Sequence, residues 1–210
     1  MPRLALLNSK RCSQVAQIET QDPKMRFLPT LLLAASAASA ASLTKRLAVT
    51  PDVLIQDITN IHNGVLANQQ ASQNYAGGNL VTTLVDGAPV LLTVGAIHVA
   101  NRKGFADANL SPPIGEPDTV RIFQHVVDTV GVSIPSAVRT LKAKKPQFAA
   151  SGMTATVIAS LKLLLNDHDT FSAALTAKSY QANATLTAQG VEVVDDIHNA
   201  IQSGIDAYSS

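Results

Sequence analysis

The sequence predicts an all-α fold: an antiparallel bundle of about five amphipathic helices, two of them kinked at proline. Three features of the 210 residues carry that prediction. Apolar residues step by three and four through residues 47–210, the spacing of one helix face. No alternating run of strand type exceeds about four residues. Stretches rich in glycine and proline cut the helical pattern into five lengths with short links, the layout of a bundle.

The first helix opens at Thr50-Pro51-Asp52, a cap-type residue followed by proline at the first helical position. Leu54, Ile58, Ile61 and Val65 form its apolar face, and "YAGGN" (Tyr75–Asn79) breaks it. A second apolar stretch runs from Leu80 to about Lys103, with a kink expected at Pro89. "NLSPPIGEPD" (Asn109–Asp118) holds three prolines and a glycine and reads as the clearest loop. The third helix carries Val120, Phe123, Val127, Val130, Ile134, Val138 and Leu141, with a bend expected at Pro135. After "KKPQF" the fourth carries Val157, Leu161, Leu164, His168, Phe171 and Leu175. The fifth carries Leu186, Val193, Ile197, Ala200, Ile201, Gly204 and Tyr208.

Ahead of the helical domain lies "MRFLPTLLLAASAASAASLTKR" (residues 25–46). Arg26 supplies a positive start, Phe27–Ala35 an apolar run, and Ala38-Ser39-Ala40 the small residues a signal peptidase accepts. We expect a signal peptide over 25–40, cleaved after Ala40, and a pro-segment over 41–46 ending at the dibasic Lys45-Arg46. The helical binding domain is then 47–210. Residues 1–24 read as an upstream extension, with Met25 the true start. A signal anchor is weighed against this, but the apolar core is short of the roughly 20 residues a span needs. An organelle presequence is the other alternative, from Arg3, Lys10 and Arg11 with no acid before Glu19.

Charge divides at the same place. Residues 1–46 hold 7 basic and 2 acidic side chains, and residues 47–210 hold 9 and 13, a net −4 for the domain. A mildly acidic domain with one small basic knot (Lys142, Lys144, Lys145, read as a helix end) argues against nucleic acid as partner. The one cysteine, Cys12, lies in the leader, which excludes disulfides and a thiol nucleophile from the domain. Its 164 residues are enough to bury roughly two-thirds of the unfolded surface. With no tryptophan and few aromatics, that core must consist of Val, Leu, Ile and Ala.

Catalytic signatures are missing: there is no nucleophile elbow, P-loop, G-x-G-x-x-G or H-E-x-x-H. His125-x-x-Asp128 and Asp195-x-x-His198 have helical ligand spacing, yet a bundle di-iron site needs several glutamates and the domain has only Glu116 and Glu192. Both pairs read as solvated, and no metal or other cofactor is expected. His168 lies on the apolar stripe between Leu164 and Phe171, and His62 at the edge of the Ile58–Val65 stripe. Each reads either as a core-rim histidine bonded to a neighbour or as a polar group meeting the head of an amphiphile. Ala88, Gly95, Ala200 and Gly204 either let helices approach closely or leave a gap for an acyl chain. Asn109-Leu110-Ser111 and Asn183-Ala184-Thr185 are N-glycosylation sequons, with Asn109 expected in the loop.

"LKAKKPQFAA" (Leu141–Ala150), "VIASLKLLLNDHDTFSAALTAKS" (Val157–Ser179) and the ending "IDAYSS" (Ile205–Ser210), behind a dibasic leader, resemble the fungal hydrophobic surface-binding protein A / cell wall galactomannoprotein family. The resemblance runs from about Val53 to the end. It implies a secreted helical bundle that acts by binding: members adsorb to hydrophobic surfaces such as polyesters, where they recruit an esterase, and related mannoproteins hold fatty acids between helices. A secreted or loosely wall-associated glycoprotein is expected, since no GPI signal or transmembrane segment follows the domain. The non-catalytic reading takes two forms. A fatty acid or other amphiphile is enclosed by Val127, Ile134, Leu161, Leu164 and Phe171 with His62 and His168 as polar contacts, or the helices adsorb to a hydrophobic solid and recruit a secreted esterase or cutinase. A structural wall mannoprotein without a small ligand is the alternative.

Overall fold

The computed structural model describes residues 49–78, 83 and 85–210, all within one unit. The expected leader, with Ala40, Lys45 and Arg46, lies outside the described residues. Among those described, no strand occurs and seven helices have both ends defined. They are α1 Pro51–Asn74, α2 Ala88–Leu110, α3 Glu116–Asp128, α4 Val130–Ala143, α5 Lys145–Ala150, α6 Thr154–Lys178 and α7 Ala184–Ser209.

α1 starts as its sequence dictates, with Thr50 extended and Pro51 in the first turn, where a missing N–H costs nothing. Leu54, Ile58, Ile61 and Val65 are all buried on the predicted stripe. The helix stops at Tyr75, and Gly77 follows at φ +77°, a conformation that suits glycine. Pro89 does not kink the second helix. It lies in the first turn of α2, where proline is tolerated because no intrahelical donor is needed.

α2 also runs further than the proline-rich stretch suggested. Asn109 lies in its last turn, not in a loop, with its side-chain amide donating to the Phe105 carbonyl at 2.8 Å. Pro112 and Pro113 then bar any continuation, because proline disfavours helical backbone in the residue before it.

The third predicted helix is two. It breaks at Thr129 (φ −118°, ψ −87°), ahead of Pro135, which sits inside α4. The Thr129 hydroxyl donates back to the His125 carbonyl, a bond that bends helices, and Gly131 follows with low helix propensity. α5 is a single short stretch in the link that "KKPQF" marked. α7 is capped by Asn183, whose side chain accepts the Leu186 N–H at 3.1 Å.

Direction alternates from each long rod to the next, as predicted. Asp57 meets Lys103 and Asn68 meets Thr93, so α1 and α2 are antiparallel. His62–Ser133 and Gln69–Thr140 make α4 parallel to α1. His98–Asp167 and Arg102–Thr170 make α6 parallel to α2. Neighbour contacts run α1–α2–α6–α7–α4 and back to α1, with α3 continuing the α4 wall, so five rods close into a ring. Among the described residues α2 carries more exposed large apolar side chains than any other helix: Leu91, Leu92, Val99 and Leu110.

One end of the ring carries an aromatic plug. Phe148 is fully buried, stacked on Tyr75 at 4.5 Å and edge-on to Tyr208 at 6.4 Å. The Tyr208 hydroxyl donates to the Leu141 carbonyl at 2.6 Å, and burial pushes its pKa up. Lys144 from the basic knot donates to the Tyr75 carbonyl at 3.0 Å. Phe148→Ala should therefore cost about 3–5 kcal/mol in urea unfolding, the usual loss for a buried phenylalanine. An unchanged midpoint would show that the plug contributes no stability.

Candidate functional site

The five rods face a central cavity of about 120 Å3. Every wall of the ring contributes: Ile58, Ile61 and Val65 from α1, Ile97 from α2, Val126 from α3, Val130 and Ile134 from α4. α6 adds Leu161, Leu164, His168 and Phe171, and α7 adds Val194, Ile197 and Ile201. Among the described residues no Asp, Glu, Lys or Arg lines it. Left empty, a void of this size costs about 3 kcal/mol at roughly 24 cal/mol per Å3. An apolar cavity of about 150 Å3 is known to stay dry and take up benzene, so this one has the size and surface to hold hydrocarbon.

Smaller apolar spaces adjoin it. One of about 90 Å3 shares Val126, Leu175, Thr176 and Val194 with it, and one of about 30 Å3 shares Asn68, Leu141, Leu161 and Leu164. The space is therefore elongated, which suits a chain better than a compact ligand.

Of the residues that sequence singled out, Ile134, Leu161, Leu164, His168 and Phe171 come together on this cavity. His62 and Val127 do not line it. His62 sits in the α1–α4 seam with its Nδ1 3.0 Å from the Ser133 hydroxyl. Val127 is displaced by its neighbour Val126, because the buried face of α3 runs through Thr119 and Ile122 while Val120 is exposed. Two adjacent valines gave the periodicity no means of choosing between them.

The small residues divide too. Gly204 lets α7 approach so closely that a Cβ there would lie 3.1 Å from Val138 and 3.2 Å from Leu161. Gly95 meets nothing and faces solvent, so it neither packs nor lines the gap. Gly104 does what Gly95 was expected to do: a Cβ at this position would lie 2.8 Å from the Phe171 ring. Phe171 is thereby held between α2 and the cavity.

The polar lining was missed by sequence reasoning. Asn68, Asn101, Ser172 and Thr176 all reach the cavity. Ser172 and Thr176 follow His168 at four-residue steps, so the α6 stripe itself was the signal. Asn68 donates to the Val90 carbonyl at 3.1 Å and to the Thr93 hydroxyl at 2.9 Å. Asn101 donates to the Ile97 carbonyl at 3.0 Å.

His168 has its Nε2 3.1 Å from the Val194 carbonyl. A carbonyl only accepts, so that nitrogen carries the proton and Nδ1 is left as an acceptor, 3.4 Å from the Ser172 hydroxyl. Burial holds the His168 pKa below its ordinary 6.5.

The other histidines pair across helices and not with the carboxylates at i±3. His125 lies 2.8 Å from the Thr59 hydroxyl and His198 lies 2.9 Å from Asp169. Among the described residues no group of three His, Cys, Asp or Glu could hold a metal ion, and no helix is long and apolar enough to cross a membrane. Of the sequons, Asn183 is engaged as the α7 cap and also donates to Glu116 at 2.9 Å.

The model of the hydrophobic surface binding protein A family matches residues 51–177. No curated protein matches the chain. Among solved structures, AFMP4P in complex with palmitic acid superposes with a TM-score of 0.69 at 19% identity, over 76% of this chain and 99% of that one. Ligand binding domain 1 of Penicillium marneffei MP1 protein, complexed with arachidonic acids, gives 0.66 at 24% identity, over 74% and 95%. Ligand binding domain 2 of the same protein, complexed with multiple arachidonic acids, gives 0.65 at 20%, over 74% and 93%. The shared fold is the helical bundle described above.

The state of His168 sets a pH dependence. Its folded pKa lies below the unfolded 6.5, so the stability it confers is fully present above 6.5 and is lost as pH falls through that value towards the folded pKa. His168→Leu should fold and unfold less steeply in acid than the parent, as read from urea midpoints on either side of 6.5. Equal acid sensitivity in both proteins would show that His168 does not titrate on unfolding.

Proposed function

The chain belongs to the hydrophobic surface binding protein A family, and from that premise we propose that it is a non-catalytic protein that encloses the hydrocarbon chain of a fatty acid or similar amphiphile. The single observation that carries this reading is the elongated, uncharged cavity to which all five rods contribute. The palmitic and arachidonic acid complexes of proteins with the same bundle support it. Ligand sites for small molecules commonly measure about 300–1,000 Å3. A long acyl chain therefore has to spread this cavity. Ile134, Leu164 and Leu175, packed on the core but only partly buried, are the side chains this reading requires to give way.

Cavity filling tests the reading. Leu164→Trp should lower the affinity for palmitic acid at least about ten-fold, or ~1.4 kcal/mol, while unfolding remains cooperative. Undiminished affinity in a folded variant would place the ligand elsewhere.

A second reading rests on a different surface. From Ala88 to Ala100 the α2 sequence contains no Asp, Glu, Lys or Arg, and Leu92 and Val99 are 74% and 67% exposed. The charged and polar contacts of α2 point the other way, His98 to Asp167 and Lys103 to Asp57. A helix with clasps inward and hydrocarbon outward suits adsorption to a hydrophobic solid. Recruitment of a secreted esterase to such a layer belongs to this reading. Secretion through the leader at 25–46 and loose wall association belong to both. The double variant Leu92→Glu/Val99→Glu should lose adsorption to polyester film and keep its palmitic acid affinity. Equal adsorption would exclude this face.

A further inference from the structure

Enclosing a chain leaves the question of where its head group sits, and the polar groups around the cavity are unequal. Asn68 has spent both amide hydrogens on Val90 and Thr93, and His168 has spent its N–H on Val194. Ser172 has only the long 3.4 Å contact to His168. Ser172 and Thr176, with Val194, line both the central cavity and an outer groove between α6 and α7. The two hydroxyls therefore stand where the hydrocarbon space reaches the surface, and a hydroxyl both donates and accepts.

Charge at this opening has one dominant sign. The titratable groups around the cavity and the groove are His168 and Asp169 from α6 and Asp195 and His198 from α7; α1, α2, α3 and α4 contribute none. His168 is held neutral by burial, and Asp169 hydrogen-bonds to the His198 ring at 2.9 Å, which leaves the Asp169 carboxylate negative wherever His198 is unprotonated. Among the described residues Asp195 on the rim has no hydrogen-bond or ion-pair partner, and no Lys or Arg lines the groove. A carboxylate placed here would meet two hydroxyls and a like charge. An alcohol, an ester or a protonated acid would meet the hydroxyls at no such cost.

Resting on the cavity reading above, we propose that the α6–α7 opening at Ser172 and Thr176 holds the head group, and that it selects uncharged amphiphiles over carboxylate anions. Fatty alcohols, acylglycerols and protonated fatty acids are the ligand class it suits. Asp195 is the residue that discriminates against the anion.

The test is displacement of the neutral dye N-phenylnaphthylamine from the full chain by dodecan-1-ol, dodecane and dodecanoate at about pH 8, where the acid is ionised. Dodecan-1-ol should displace the dye at lower concentration than dodecanoate. Asp195→Asn should tighten dodecanoate roughly two- to five-fold, the worth of one exposed charge interaction, and leave dodecan-1-ol unchanged. Ser172→Ala/Thr176→Val should weaken dodecan-1-ol but not dodecane. Dodecanoate binding as tightly as dodecan-1-ol, or no response to Asp195→Asn, would overturn the selectivity. Equal weakening of alcohol and alkane in the hydroxyl variant would overturn the head-group site. If none of the three probes, dodecane included, displaces the dye, the cavity reading itself fails and the head-group proposal falls with it.

Discussion

Five rods in a ring cannot meet at its centre. Helix axes pack about 9 Å apart, which puts the middle of a five-membered ring about 7.7 Å from each axis, against about 6.4 Å in a ring of four. Large aromatic side chains would have to span that extra distance. This sequence has no tryptophan and few aromatics, and three of its rings, Tyr75, Phe148 and Tyr208, are gathered in the plug at one end. The middle is left mainly to Val, Ile and Leu, with the Phe171 and His168 rings and a few small polar side chains. The cavity follows from ring geometry and composition together, and the binding function follows from the cavity.

α2 is the unusual wall of that ring. Val90 and Ile97 are its only large, fully buried apolar side chains, while α1 has four. Beside close packing such as Gly104 on Phe171, it is clasped at Asp57 and Asp167, both 1% exposed, each with one carboxylate oxygen that has no partner among the described residues. Burial, with Asp107 beside it, holds the Asp57 pKa up despite Lys103, whereas Asp107 and Asp57 raise that of Lys103. An unsatisfied buried group costs about 1–3 kcal/mol. A wall fixed by such contacts, with hydrocarbon on its outer face, gains from meeting an apolar surface or an apolar guest. The cavity and the exposed apolar face at Leu92 and Val99 thus share one helix.

The period of the apolar residues carried most of the fold. Single stripes such as Leu54–Val65 and Leu161–Leu175 have one solution on a helix, and these were legible. Legibility failed where local chemistry overrode the period. The Thr129 hydroxyl interrupts an apolar run that Pro135 was expected to bend, and Pro89 opens a helix because it falls in a first turn. Asn109 stays helical by bonding back to Phe105. At the site, five of the seven expected lining residues face the cavity. His62 was lost because a stripe edge fits a seam as well as a cavity, and Val127 because Val126 stands beside it. Ring order was beyond the sequence, since α6 and not α3–α4 stands beside α2, and only tertiary contacts decide that. Ser172 and Thr176 went unnoticed because small hydroxyl residues on an apolar stripe read as spacers until an opening is seen beside them.

The most direct test is isotope-filtered NMR on the protein with labelled palmitic acid. The account predicts contacts from the ligand methylenes to methyl groups of Ile134, Leu161 and Ile197, which line the cavity on three different rods. Contacts confined to Leu92 and Val99, on the outer face of α2, would mean that the bundle binds hydrocarbon only on its surface, and the enclosed site would be wrong.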